Sequence, residues 1–168
     1  MQPDGQSLPE RTRPVSWADP AELAAAAGES SGLAFVERLC RGELPPPPLA
    51  SMFGMEIVEV APSRVVFALE PAEWMFNPIG SVHGGVAATL LDSAMGCAIQ
   101  TALPAGTGHM TADLHVRYLR PMTADTGRVL ATGTLIGAGR RQATAEGRVE
   151  VQATGKLIAT GTTGYILL

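Results

Sequence analysis

One carboxylate stands alone in an apolar run. Residues 86–99 contain no Lys, Arg or Glu and a single acid, Asp92, among small and aliphatic neighbours. A buried carboxylate has to be hydrogen-bonded, neutralised or used. Eight positions earlier the chain enters this run through His83-Gly84-Gly85. The first turn of a helix carries unpaired N–H groups and the positive end of its dipole, which stabilise developing negative charge. Glycine there lets a ligand carbonyl come close to the backbone. An acid and an oxyanion donor are the parts needed to attack a carbonyl, or to activate water against it. The plainer alternative is an acid satisfied by hydroxyl or backbone donors, with glycines that only permit close packing.

Gly84 and Asp92 cannot reach one atom from the same helix. Eight residues span roughly 12 Å at about 1.5 Å per residue. If both act on one carbonyl, the acid comes from a second copy, with two antiparallel helices across a two-fold axis. Asn77-Pro78, six residues before His83, opens the turn and is also an ordinary turn initiator. Arg140 and Arg141 follow Gly139, and Arg120 precedes Pro121. Guanidinium pairs suit phosphate oxygens, although solvated surface arginines have the same sequence signature. Ser93 lacks a G-x-S-x-G setting, and neither G-x-G-x-x-G nor a P-loop occurs.

The elements that must position these residues follow from periodicity. Residues 1–30, rich in Pro, Ala, Ser and Glu, read as a disordered tail with a possible short helix at 20–27. Residues 31–43 fit an amphipathic helix capped by Ser30 or Ser31, closed by the polyproline segment that ends at Pro48. Short strands are expected at 54–60 and 64–70, joined as a hairpin. Trp74-Met75-Phe76 leads into the apolar helix and either lines a pocket or packs that helix. Period-two strands then follow at 109–120, 126–136, 141–152 and 156–167. In the first of these, Met110, Ala112, Leu114, Val116 and Tyr118 share one face. The implied architecture is α+β: a curved antiparallel sheet wrapped around a long central apolar helix, with an N-terminal helical extension. A single domain occupies 31–168.

From Asn77-Pro78-Ile79-Gly80 through His83-Gly84-Gly85 to Leu90-Leu91-Asp92-Ser93-Ala94, the chain resembles the hotdog-fold acyl-CoA thioesterases of the PaaI-like group. The resemblance runs from about residue 33 to the C-terminus. Tyr118-Leu119-Arg120-Pro121, Gly139-Arg140-Arg141 and Gly155-Lys156-Leu157-Ile158-Ala159 support it. It implies hydrolysis of an acyl-CoA thioester to free acid and coenzyme A; the small helix-face residues Ala87, Ala88 and Ala94, not the resemblance, leave room for an aryl or medium-chain acyl group. Asp92 is then the carboxylate of the chemistry, as nucleophile or general base, and the Gly84 N–H is the oxyanion donor. His83 positions the thioester or holds the loop. Asn77 bonds the loop backbone or positions water, and Thr111 places a hydroxyl near the acid. Arg140, Arg141, Arg120 and Gly139 cradle the coenzyme A tail. A homodimer or homotetramer is implied. Two other readings of a hotdog domain stay open, an acyl-CoA hydratase or dehydratase and a non-catalytic acyl-CoA-binding protein.

Bulk properties narrow the remaining classes. The 168 residues are 46% hydrophobic and 17% charged, which suits one domain with a substantial core. The net charge of −4 gives no general attraction to nucleic acid or anionic membrane. Residues 1–108 hold five Arg/Lys and twelve Asp/Glu, whereas 109–168 hold seven and four. The second part is therefore positive, as an anionic cofactor tail requires. Cys40 and Cys97 form no metal-binding pattern and lie in dissimilar segments, so neither a zinc site nor a disulfide is expected. No separate cofactor is expected, since coenzyme A arrives with the substrate. The N-terminus lacks a signal-peptide pattern and nothing approaches a membrane span, so a cytoplasmic protein is expected.

Overall fold

The computed structural model describes residues 10–168. Helix α1 (Pro20–Glu29) starts where Asp19 accepts a hydrogen bond from the Ala21 amide at 2.9 Å and proline takes the first helical position. The short helix expected at 20–27 is thus present and runs two residues further. It replaces part of the expected tail because Leu23 and Ala26 find apolar surface to bury. Residues 1–9 of that tail lie outside the described residues. Helix α2 (Gly32–Cys40) is capped by the Ser31 hydroxyl and buries Phe35 and Val36. The expected polyproline stop is followed by an element the sequence reading missed, α3 (Pro48–Phe53). Its signals were a proline at the first turn and Gly54, which closes it in the left-handed conformation at φ 69°. Gly54 therefore caps a helix instead of opening a strand.

Six strands follow: β1 (Glu56–Ala61), β2 (Arg64–Leu69), β3 (His109–Tyr118), β4 (Val129–Ala138), β5 (Gln142–Val151) and β6 (Leu157–Leu167). They form one antiparallel sheet in the order β1-β2-β4-β5-β6-β3. The sheet curves around α4 (Gly84–Gln100), and this is the expected hotdog arrangement. Leu90, Leu91, Ala94, Met95 and Ile99 of α4 are fully buried against it.

A track of glycines makes that burial possible. Gly133, Gly147 and Gly161 pair across β4, β5 and β6 in one row beneath the helix. A Cβ on Gly133 would stand 2.2 Å from the Ala94 carbonyl oxygen, and one on Gly147 3.0 Å from the Leu91 and Met95 side chains. The helix backbone thus rests directly on the sheet. The wrapping is incomplete in the single chain, however. Gly85, Ala88, Thr89, Asp92, Ser93 and Cys97 form a half-buried strip along α4.

Strand β3 departs from simple alternation. Its register against β6 shifts between Thr111 and Asp113, a β-bulge that inserts one residue. Before the bulge His109 and Thr111 turn inward; after it Leu114 and Val116 do. Met110, expected to share their face, is instead 52% exposed, and Ala112 is exposed as well, whereas Tyr118 keeps the face of Leu114 and Val116 and lies against Gly84. One extra residue reverses the phase of a period-two pattern.

Candidate active site

The turn before α4 is tied down residue by residue. Asn77 Oδ1 accepts from the Ile79 and Ser81 amides at 3.1 and 3.2 Å, and its Nδ2 donates to Ser81 Oγ at 3.0 Å. Of the two roles open to Asn77, the geometry displays loop stapling. His83 caps α4: its Nδ1 accepts from the Gly85 amide at 2.9 Å and its carbonyl from Val86 at 2.9 Å. With Nδ1 as acceptor, the proton sits on Nε2, leaving a neutral ring with one outward donor. Gly84 N–H is then the first-turn amide with no partner among the described residues. Gly84 cannot be replaced freely, since an added Cβ would meet the Tyr118 ring at 3.2 Å. Beside it runs a groove of about 310 Å³, lined by Val82, Ala87, Tyr118, Arg120, Met122 and Ile158.

Asp92 occupies the open strip of α4. Its Oδ1 accepts from Thr111 Oγ1 at 3.0 Å and from the Tyr165 hydroxyl at 3.1 Å, while Oδ2 has no partner among the described residues. The β3 bulge turns Thr111 toward the acid, so the hydroxyl expected there is in place. Tyr165 was missed. Its signal was a phenol in the inward phase of β6, in register with Thr111. Gly96, one turn beyond Asp92, makes room for it: a Cβ there would lie 2.4 Å from the phenol oxygen. Burial raises the Tyr165 phenol above its ordinary range, so it remains a donor. Desolvation, with the charge of Asp92 adding to it, pushes the Cys97 thiol up to about 12. Cys97 is thus a neutral neighbour, not a nucleophile.

The two half-sites are separate within one chain. Tyr118, against Gly84, pairs with Ala159, whereas Thr111, against Asp92, pairs with Tyr165. Six residue steps along β6, from Ala159 to Tyr165, separate them, roughly 20 Å at about 3.3 Å per residue. Arg120 belongs to the Gly84 end; one of its nitrogens is engaged by the Leu157 carbonyl at 2.7 Å. The exposed turn of Gly139, Arg140 and Arg141 belongs to the Asp92 end, where Ala143 pairs with Tyr165 and Leu167 bonds to the Arg141 carbonyl. Near the turn, Met75 is buried in the core and Phe76 packs against it, while Trp74 faces outward under Arg13. That trio packs the fold more than it lines the groove. Among the described residues, no group of three or more His, Cys, Asp or Glu could hold a metal, and no helix is long and apolar enough to cross a membrane.

Comparison with known proteins gives concordant results. The family model described as thioesterase superfamily matches residues 79–158. Acyl-coenzyme A thioesterase 13 of Mus musculus is 30% identical over 105 residues, covering 62% of this chain and 74% of that protein. A Halobacterium salinarum protein assigned to the esterases is 44% identical over 63 residues, 34% of this chain and 42% of its own length, less than half of that relative. Among solved structures, a variant of the phenylacetic acid degradation protein PaaI from Thermus thermophilus is 30% identical. It superposes with a TM-score of 0.65 over 73% of this chain and 100% of its own.

Proposed function

Since this chain belongs to the thioesterase superfamily, as a PaaI-like hotdog thioester hydrolase, we propose that it splits aryl- or medium-chain acyl-CoA into free acid and coenzyme A. The observation that carries the assignment is the state of Asp92. Two donors hold one carboxylate oxygen, and the other is left free on the open strip of α4.

In this reading the free oxygen either attacks the thioester carbonyl, giving a transient anhydride that water opens, or takes a proton from the attacking water. Either way, the C–S bond breaks and the thiolate leaves with a proton as free coenzyme A. The developing oxyanion is received by the unpartnered Gly84 N–H at a helix N-terminus. That donor comes from a second copy, because the two half-sites of one chain lie too far apart. A homodimer, alone or doubled into a tetramer, joins them along the open strips of α4 and the exposed edge strand β3. His83, through Nδ1 on the Gly85 amide, and Asn77 keep the donor turn in shape, and Thr111 holds the acid. The groove beside Gly84, with its apolar walls, suits an aryl or medium-length acyl group. Arg140, Arg141 and Arg120, with Gly139 shaping the turn, meet the phosphates of coenzyme A. The reaction takes no separate cofactor, and we place it in the cytoplasm, where acyl-CoA is made and used.

Thiol release measured across benzoyl-, phenylacetyl-, octanoyl-, acetyl- and palmitoyl-CoA tests the proposal. The highest kcat/KM is expected on the aryl or octanoyl esters. A preference for acetyl or palmitoyl would refute the substrate class. Tight binding of all five with no thiol release would refute hydrolysis itself.

A further inference from the structure

Asp92 needs more than burial to work, because an aspartate on a half-open helix face has several side-chain rotamers available. Here the choice is made by groups from two strands. Thr111 reaches it from β3 and Tyr165 from β6, and both bond the same oxygen. Tyr165 is only 6% exposed, and besides that oxygen its hydroxyl has one other acceptor, the Asp92 carbonyl at 3.4 Å. The His109 ring lies against it at a centroid distance of 5.6 Å. Gly96 provides the space for the hydroxyl, which any side chain there would occupy.

We propose that Tyr165 is a positioning residue: its hydroxyl, seated in the gap left by Gly96, fixes the Asp92 carboxylate so that the second oxygen faces the substrate. The proposal rests on Asp92 being the working carboxylate. Thr111 alone leaves the carboxylate free to turn about a single hydrogen bond; the phenol, arriving from a different strand, closes that freedom. Donation to a carboxylate also favours its charged form. The charged groups at this end of the sheet, Arg140 and Arg141, sit on an exposed turn and make no hydrogen bond or ion pair with Asp92 among the described residues. Cys97 on α4 is a neutral thiol, and burial lowers the protonation range of His109 on β3. Strand β5 offers Ala143 beside Tyr165, which does not titrate.

Tyr165→Phe keeps the ring and deletes the donor. With Thr111 still in place, kcat should fall about tenfold, near the lower end for losing a hydrogen bond to a charged group. KM should change less than about twofold, since the hydroxyl bonds the carboxylate and not the substrate. Gly96→Ala should produce the same loss of kcat at nearly unchanged KM with Tyr165 still present, by pushing the hydroxyl away. Adding Gly96→Ala to Tyr165→Phe should then cost little more, because the atom it displaces is gone. Where Tyr165→Phe does not fold, Gly96→Ala carries the test through the same split between kcat and KM. A folded variant with kcat within twofold of the parent, or with KM raised as much as kcat is lowered, would mean that Tyr165 is only a wall. Asp92→Asn is run alongside. If it hydrolyses at the parent rate, the role of Asp92 falls and the proposal with it. If it is inactive while Tyr165→Phe is unaffected, only the positioning role is overturned.

Discussion

Gly133→Ala adds one methyl group far from any reacting atom, yet the geometry makes it a severe change. The new Cβ would lie 2.2 Å from the Ala94 carbonyl oxygen, 2.3 Å from its carbon and 2.5 Å from the Met95 nitrogen. All three are backbone atoms of α4, so no side chain can turn aside. Restoring an ordinary contact of 3.4 Å means moving the helix off the sheet by 1.2 Å. Overpacking costs about 1–3 kcal/mol, against about 0.4–1 kcal/mol recovered from the stiffer unfolded chain. For a domain of this size, at about 2–4 °C per kcal/mol, the net loss corresponds to a fall in Tm of up to roughly 10 °C. Activity should suffer more. A 1.2 Å displacement is enough to take the 3.0 Å bond between Thr111 and Asp92 out of hydrogen-bonding range. Misplacement on that scale costs about 10²-fold. The assay pairs thermal melting with thiol release, alongside two controls. Gly147→Ala meets flexible Leu91 and Met95 atoms at 3.0 Å and should be milder. Gly28→Ala, in α1 with nothing within 4 Å, should be neutral or slightly stabilising. If Gly133→Ala melts and turns over like Gly28→Ala, the helix does not rest on the glycine row.

Asp92→Asn should fold and bind coenzyme A esters while turnover drops at least about 10²-fold, the lower end for loss of general-base assistance; thiol release on a variant shown to be folded measures it. Changing Arg140 and Arg141 together to Ala should raise KM for coenzyme A esters, with less effect on pantetheine thioesters that lack the nucleotide. Equal losses on both substrates would assign the arginines another task, and added salt should weaken only the coenzyme A esters. Mixing Asp92→Ala chains with Gly84→Val chains, each inactive alone, should restore one complete site per mixed dimer. No recovery after demonstrated subunit exchange, or a fully active monomer in sedimentation, would count against a shared site.

Much of the molecule was legible from local pattern. The apolar run with one acid eight residues after Gly84 marked α4, a hairpin pattern marked β1 and β2, and period-two stretches marked the other four strands, all to within a few residues. Family resemblance, not local pattern, pointed to Thr111 as the hydroxyl beside Asp92; the local cap signal at Ser31 announced α2. These signals are local because helix and strand periods repeat within a few residues, and capping chemistry acts within a turn. What tertiary structure alone decided was phase and partnership. The bulge in β3 reversed the faces of Thr111 and Met110, since a bulge exists only relative to the strand it pairs with. Tyr165 and Gly96 met because β6 crosses beneath α4, across 69 residues of sequence. The row Gly133, Gly147, Gly161 likewise acquired meaning only from the register of three strands. Sequence periodicity fixes which way a side chain faces along its own element. Which atoms it meets there depends on non-local backbone pairing, and that is set by the packing of the whole chain.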